Sequence, residues 1–134
     1  MATIITTYTG DLRTEAIHLQ SSRSLITDAP IDNQGKGEAF SPTDLLAASL
    51  GSCMLTIMGI ASQTHGFPLE GTRAEITKVM ASAPRRIGEI IIDLYFPANN
   101  YSDKTKQIIR QSAFSCPVYL SLSDSLIKTI HFHF

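Results

Sequence analysis

Three observations predict an α+β fold with a mostly antiparallel sheet and one long buried central helix. Residues 45–64 run for 20 positions without a charge, directly after a helix-start signal. The flanking segments alternate with period two or are rich in β-branched residues, as half-buried strands are. Turn formers then divide the chain in the order βββ–α–ββ–α–β, which is not a run of βαβ units. At 134 residues the chain suits a single domain over 1–134 with a real core.

Taken in order, residues 2–9 are rich in Thr and Ile and read as a strand, closed by a turn at Gly10-Asp11. Residues 13–20 alternate, and Ser21-Ser22 turns the chain into a short strand over 24–27. The stretch from Asp28 to Gly37 is a polar loop. Ser41-Pro42-Thr43-Asp44 opens the long helix: the Ser41 hydroxyl caps, Pro42 suits the first helical position and Asp44 reaches back to the cap. Gly66 stops that helix after His65, and Pro68 prevents its resumption. Strands over 69–80 and 87–96 follow, joined by a turn at Ala83-Pro84-Arg85, with Ile90, Ile92, Leu94 and Phe96 on one face. Ser102 or Asp103 opens a helix to about Phe114, Cys116-Pro117 opens a short helical turn through Leu122, and a last strand runs over 126–134. The long helix is apolar nearly all round, so it demands burial on every side. One sheet covers one face, which predicts that a second copy covers the other in a stable homodimer.

Composition excludes several function classes. The net charge is −1, with no basic run or acidic tail, so neither nucleic acid nor an anionic membrane is an expected partner. Residues 1–4 carry no basic region leading into an apolar core, and no secretory signal is read there. The apolar stretch contains Gly, Ser and Thr and lacks flanking basic residues, so no membrane span is expected. No cofactor is implied, and no CxxC or HxxxH spacing offers zinc its ligands. His131 and His133 share one strand face, yet no third ligand is near in sequence, and an edge strand is the plainer reading. His18 and His65 read as surface or boundary residues, Gly35-Lys36-Gly37 as a loop, and Arg85-Arg86 as a solvated turn.

Two cysteines are too few for a disulfide framework and suggest a reducing, cytoplasmic compartment with redox use of the thiols. Cys53 lies inside the long helix, where a lone cysteine is usually an inert small hydrophobe. Cys116 lies 63 residues later, directly before a helical proline, where the helix dipole favours a thiolate. Two such thiols can also pair transiently.

The segments 41–54 (Ser-Pro-Thr-Asp-Leu-Leu-Ala-Ala-Ser-Leu-Gly-Ser-Cys-Met), 115–119 (Ser-Cys-Pro-Val-Tyr) and 9–13 (Thr-Gly-Asp-Leu-Arg) together resemble the OsmC/Ohr family, osmotically inducible protein C and organic hydroperoxide resistance protein. The resemblance covers the whole chain, including element order and cysteine separation. It implies an intertwined homodimer and a thiol peroxidase working at the dimer interface. In that scheme Cys53 attacks an organic hydroperoxide and becomes a sulfenic acid. Cys116 resolves it as a disulfide, and an external dithiol, of lipoyl type, reduces that disulfide. The family activates its first thiol with an arginine, which Arg13 matches; taken alone, Arg13 reads equally as a solvated strand residue beside a turn. The glutamate that holds the family's arginine falls at Thr43, which accepts a hydrogen bond without supplying charge. Glu38 or Asp44 could substitute, although Asp44 is already explained as a cap. Met54 stands where the family has an aromatic residue. These departures suggest a less characterised branch and keep two other readings open: a small-molecule-binding dimer that has lost turnover, and a thiol redox sensor.

Overall fold

Ser41 and Asp44 form the reciprocal cap that their spacing predicts. The Asp44 N–H donates to Ser41 Oγ at 3.1 Å and the Ser41 N–H donates to Asp44 Oδ2 at 3.0 Å. The helix they start, α1, runs Pro42–His65 as expected and ends at Gly66, whose φ of +75° only glycine adopts freely. The computed structural model that shows this describes residues 1–97 and 99–134. The chain divides into two compact units, Met1–Leu46 and Ala47–Phe134.

In the first unit, β1 (Ile4–Gly10), β2 (Arg13–His18) and β3 (Ser24–Asp28) form an antiparallel sheet in the order β1-β2-β3. The β1–β2 turn carries positive φ at three successive residues, Gly10 (+99°), Asp11 (+53°) and Leu12 (+61°), and sets Arg13 as the first residue of β2. Register places Arg13 opposite Asp28 and Thr14 opposite Thr27. Alternation therefore separates two faces: Ile5, Ile17 and Ile26 share one with Arg13 and Asp28, while Ile4, Tyr8 and Leu25 share the other with Thr14 and Thr27. The only buried residues of this unit are polar, Thr27, Asp28 and Ser41. A 3₁₀ turn, Ile31–Asn33, lies in the loop after β3, where the Gly35 and Gly37 N–H groups donate to the carbonyls of Pro30 and Ala29.

The second unit holds the apolar core. Here β4 (Arg73–Ala81) pairs antiparallel with β5 (Arg86–Tyr95), and β6 (Ile127–His133) pairs parallel with β5 at the other side. Pairing is thus mostly antiparallel, as expected, with one parallel ladder. That ladder arises because α2 (Asp103–Phe114) and α3 (Pro117–Ser121) carry the chain back from the end of β5 to the start of β6. Ile90, Ile92, Leu94 and Phe96 are all buried, as their alternation predicts. Ser102 caps α2 by accepting the Thr105 N–H at 3.1 Å. The strand predicted from Leu69 begins only at Arg73, because Leu69–Thr72 is a turn in which the Thr72 N–H and hydroxyl both donate to the Leu69 carbonyl.

Within the single chain one face of α1 is covered, as expected of a helix packed on one sheet. Only a stripe of Ala47, Leu50, Gly51, Met54 and Met58 is buried, while Ile60 remains 55% exposed. The spacing of those five is that of one helix face. Gly51 lies on this stripe because α1 and β4 approach closely: a Cβ built there would fall 2.4 Å from Ile76 Cδ1. By length and hydropathy α1 also meets the criterion for a membrane span, with mean hydropathy 1.8 over its best window. Its buried stripe is nevertheless part of a protein core with β5 and α2.

Candidate active site

The fold of the second unit brings Cys53 and Cys116 together. Cys53 sits at the edge of the buried stripe of α1, half-buried and packed against the core. Cys116 is the N-cap of α3, and its side chain is fully buried. Both are free thiols, and they are close enough to interact electrostatically although 63 residues separate them. Cys116 Sγ also accepts the Tyr119 N–H at 3.4 Å, the helix-start contact that the Cys-Pro step predicts. The expected thiolate preference at Cys116 does not follow, however. Burial pushes the Cys116 thiol up first, the interaction with Cys53 adds to the rise, and the backbone N–H contacts offset only part of it. Desolvation of a thiolate at a fully buried position outweighs the dipole of a five-residue helix.

Arg13 is held within the first unit by two carboxylates. Its Nε donates to Asp28 Oδ1 at 2.7 Å and its Nη2 donates to Asp28 Oδ2 at 2.9 Å, a bidentate pair. Glu38 Oε1 lies 3.5 Å from the same Nη2, and the Glu38 N–H donates to Asp28 Oδ2 at 3.0 Å. Glu38 was a candidate on sequence; Asp28, read as the first loop residue, was missed. It is instead the last residue of β3, 1% exposed and directly across from Arg13. The hairpin register was the available signal: pairing Ile17 with Ser24 across the turn puts Arg13 opposite Asp28. Thr43 Oγ1 lies 3.1 Å from Ser41 Oγ, so it belongs to the capping cluster at the start of α1. The charge that Thr43 lacks is thus supplied to Arg13 by Asp28 and Glu38, while Asp44 caps the helix.

This pair has a pH consequence. The Arg13 hydrogen bond, helped by the Glu38 N–H, holds the Asp28 carboxyl below its ordinary value despite its burial. Its contribution to stability is therefore fully present above the unfolded carboxyl value of about 3.9 and is lost as pH falls through the lower folded value. The stability difference between wild type and Asp28→Asn, from urea melts at several pH values, is expected to be constant near neutrality and to shrink below about pH 4. A difference independent of pH across that range would contradict the pairing.

Among the described residues no cluster of three potential metal ligands occurs. His133 Nε2 lies 2.8 Å from Asp93 Oδ1, and its ring stacks on Tyr95 at 4.5 Å between centroids. β6 is an edge strand, as read from sequence.

The family model described as OsmC-like protein matches residues 35–130. A solved structure from Psychrobacter arcticus 273-4, an osmotic stress induced and detoxification response protein by description, is 53% identical, with a TM-score of 0.94 over 99% of this chain and 96% of that one. The chain belongs to the OsmC-like family. The organic hydroperoxide resistance protein OsmC of Legionella pneumophila shares the fold of this OsmC-like protein, with a TM-score of 0.78 at 14% identity over 100% of this chain and 98% of that one. So does a Vibrio cholerae organic hydroperoxide resistance protein solved with captopril in one of its active sites, with a TM-score of 0.75 at 11% identity over 98% and 92% of the two chains. No curated protein matches the chain. The OsmC-like fold anticipated from the cysteine and helix motifs is the fold observed.

Proposed function

We propose that this OsmC-like protein is a cytoplasmic, cofactor-free hydroperoxide reductase that cycles through a Cys53–Cys116 disulfide. The observation that carries this reading is the pair of interacting free thiols, one half-buried and one fully buried, brought together from distant parts of the chain. The Cys53 thiolate attacks the terminal oxygen of an organic hydroperoxide. The O–O bond breaks, an alcohol leaves with one proton, and Cys53 becomes a sulfenic acid. The Cys116 thiol then displaces water from that sulfenic sulfur and closes the disulfide. A dithiol, of which dihydrolipoamide is the test case, returns two electrons. The family scheme assigns the activating cation to Arg13, whose guanidinium Asp28 and Glu38 orient, while Thr43 belongs to the capping cluster at the helix start. The experiment is hydroperoxide consumption by reduced protein, with an alkyl or aryl hydroperoxide and dihydrolipoamide, beside the two single-cysteine variants. No consumption by wild type with both thiols free would overturn the reading and favour a binding dimer.

The working unit is a homodimer. Apolar side chains stand on both faces of the β1–β3 sheet, where Ile5 is 51% exposed and Ile4 is 54% exposed. A three-stranded sheet with no apolar core of its own is not stable with both faces in water. A second copy supplies the missing cover, for these faces and for the exposed side of α1. Sedimentation equilibrium is expected to give twice the chain mass of 14.6 kDa, and a monomer at micromolar concentration would sink the dimer.

A further inference from the structure

The geometry points to a divalent transition-metal site on the outer face of the β4–β6 sheet, where His131 and His133 of β6 chelate one ion of the zinc or nickel class and Asp93 of β5 orients His133. Alternation turns Ile90, Ile92 and Leu94 of β5 into the core, so Asp93 and Tyr95 lie on the opposite face, with His131 and His133 beside them in register. The inner face is the one that α1 approaches, at Gly51 against Ile76. The outer face is thus turned away from α1, and it is none of the surfaces assigned above to contact with a second copy. The site stands apart from the proposed thiol cycle.

Two residues apart on one strand, His131 and His133 project to the same side, and both are exposed. Their ring centroids are 6.3 Å apart. Two imidazoles on one zinc ion each hold their centroid about 3.2 Å from it, hence about 5 to 6 Å from each other. A small turn of the exposed His131 ring therefore closes the pair on an ion. His133 is already fixed. Its ring stacks on Tyr95 at 4.5 Å and 11° from parallel, and its Nε2 lies 2.8 Å from Asp93 Oδ1. An ionised carboxylate only accepts, so this nitrogen carries the proton and the neutral ring keeps its lone pair at Nδ1. A ring N–H held by a carboxylate is the usual outer partner of a metal-bound histidine, because it fixes the tautomer and raises the basicity of the ligating nitrogen. Register places His131 directly across from the same Asp93. The charge on this face also favours a cation: Glu75, Glu89 and Asp93 stand there against one guanidinium, Arg73, which pairs with Glu75 and lies over the Tyr95 ring. Imidazole selects zinc, nickel and copper over magnesium, which wants oxygen, and water completes the shell around two protein ligands.

The test is calorimetric titration of tag-free, full-length protein with zinc chloride, for wild type and for Cys53→Ser, so that binding by the thiol pair is distinguished. The expected result is one ion per chain at the histidines in both, and little heat from magnesium chloride. Affinity should fall at least about tenfold in His131→Ala and in His133→Ala, and by about tenfold in Asp93→Asn, which keeps an acceptor but loses the charge. A melt without metal shows that each variant is folded. Substoichiometric nickel should broaden the ring-proton NMR signals of His131 and His133 before those of the other two histidines, His18 and His65. Unchanged zinc affinity in both histidine variants, loss of binding in Cys53→Ser, equal heats from magnesium, or equal broadening of all four histidines overturns the site.

Discussion

Replacing Cys53 by serine is expected to reduce hydroperoxide consumption to background, while Cys116→Ser still consumes one equivalent per chain and then stops when no thiol is supplied. The asymmetry follows from the two environments. Cys53 is half-buried in the chain, so it keeps surface that a substrate can meet, while Cys116 keeps none. A serine hydroxyl there is not ionised at neutral pH, and its oxygen is a poor nucleophile toward peroxide oxygen. Cys116 is fully buried with a raised thiol, so it cannot take over the first step. Its role begins only when a sulfenic acid forms at the neighbouring Cys53. Without it the sulfenic acid persists, should be trapped by a sulfenate-specific reagent such as dimedone, and moves on to the sulfinic acid under excess hydroperoxide. Wild type under the same conditions should instead lose both titratable thiols and resist further oxidation. Consumption by Cys53→Ser equal to wild type would remove Cys53 from the chemistry.

Leu50→Ala should lower stability by about 3 kcal/mol, the middle of the range for a fully buried leucine. Leu50 is 0% exposed, one helical turn before the equally buried Met54, and both belong to the cluster with Ile90, Ile92 and Leu94. The loss combines the transfer of the deleted atoms with the cavity left behind, and the surroundings have little room to collapse. Met54 fills the next turn of the same stripe, and Gly51 already lets Ile76 approach the α1 backbone. A urea melt gives the number directly. A loss at Leu50 below about 1 kcal/mol would contradict the packing of α1 as described.

Much of this architecture is written locally. The capping box of Ser41 and Asp44, the proline at the first helical position and Gly66 delimit α1, because each acts within one turn of the backbone groups it satisfies. The alternation Ile90, Ile92, Leu94, Phe96 identifies the buried face of β5 for the same reason, since a period of two is a property of the strand alone. The pairing of Arg13 with Asp28 was only half legible. Arg13 follows a recognisable turn, but assigning Asp28 to β3 rather than to the loop needed the hairpin register. The partial cover of α1 in a single chain was legible too, because its composition is apolar nearly all round while one sheet covers one face.

The sequence by itself determined the element types, the bounds of α1, the alternating core of β5 and the two residues able to do thiol chemistry. These follow from propensities, caps and periodicities that act over a few residues. Only the tertiary structure decided that Cys53 and Cys116 meet, that β6 runs parallel to β5, and that burial raises the Cys116 thiol against its helix-start position. Each of those depends on contacts between segments far apart in the chain, where packing and desolvation outweigh the local preference.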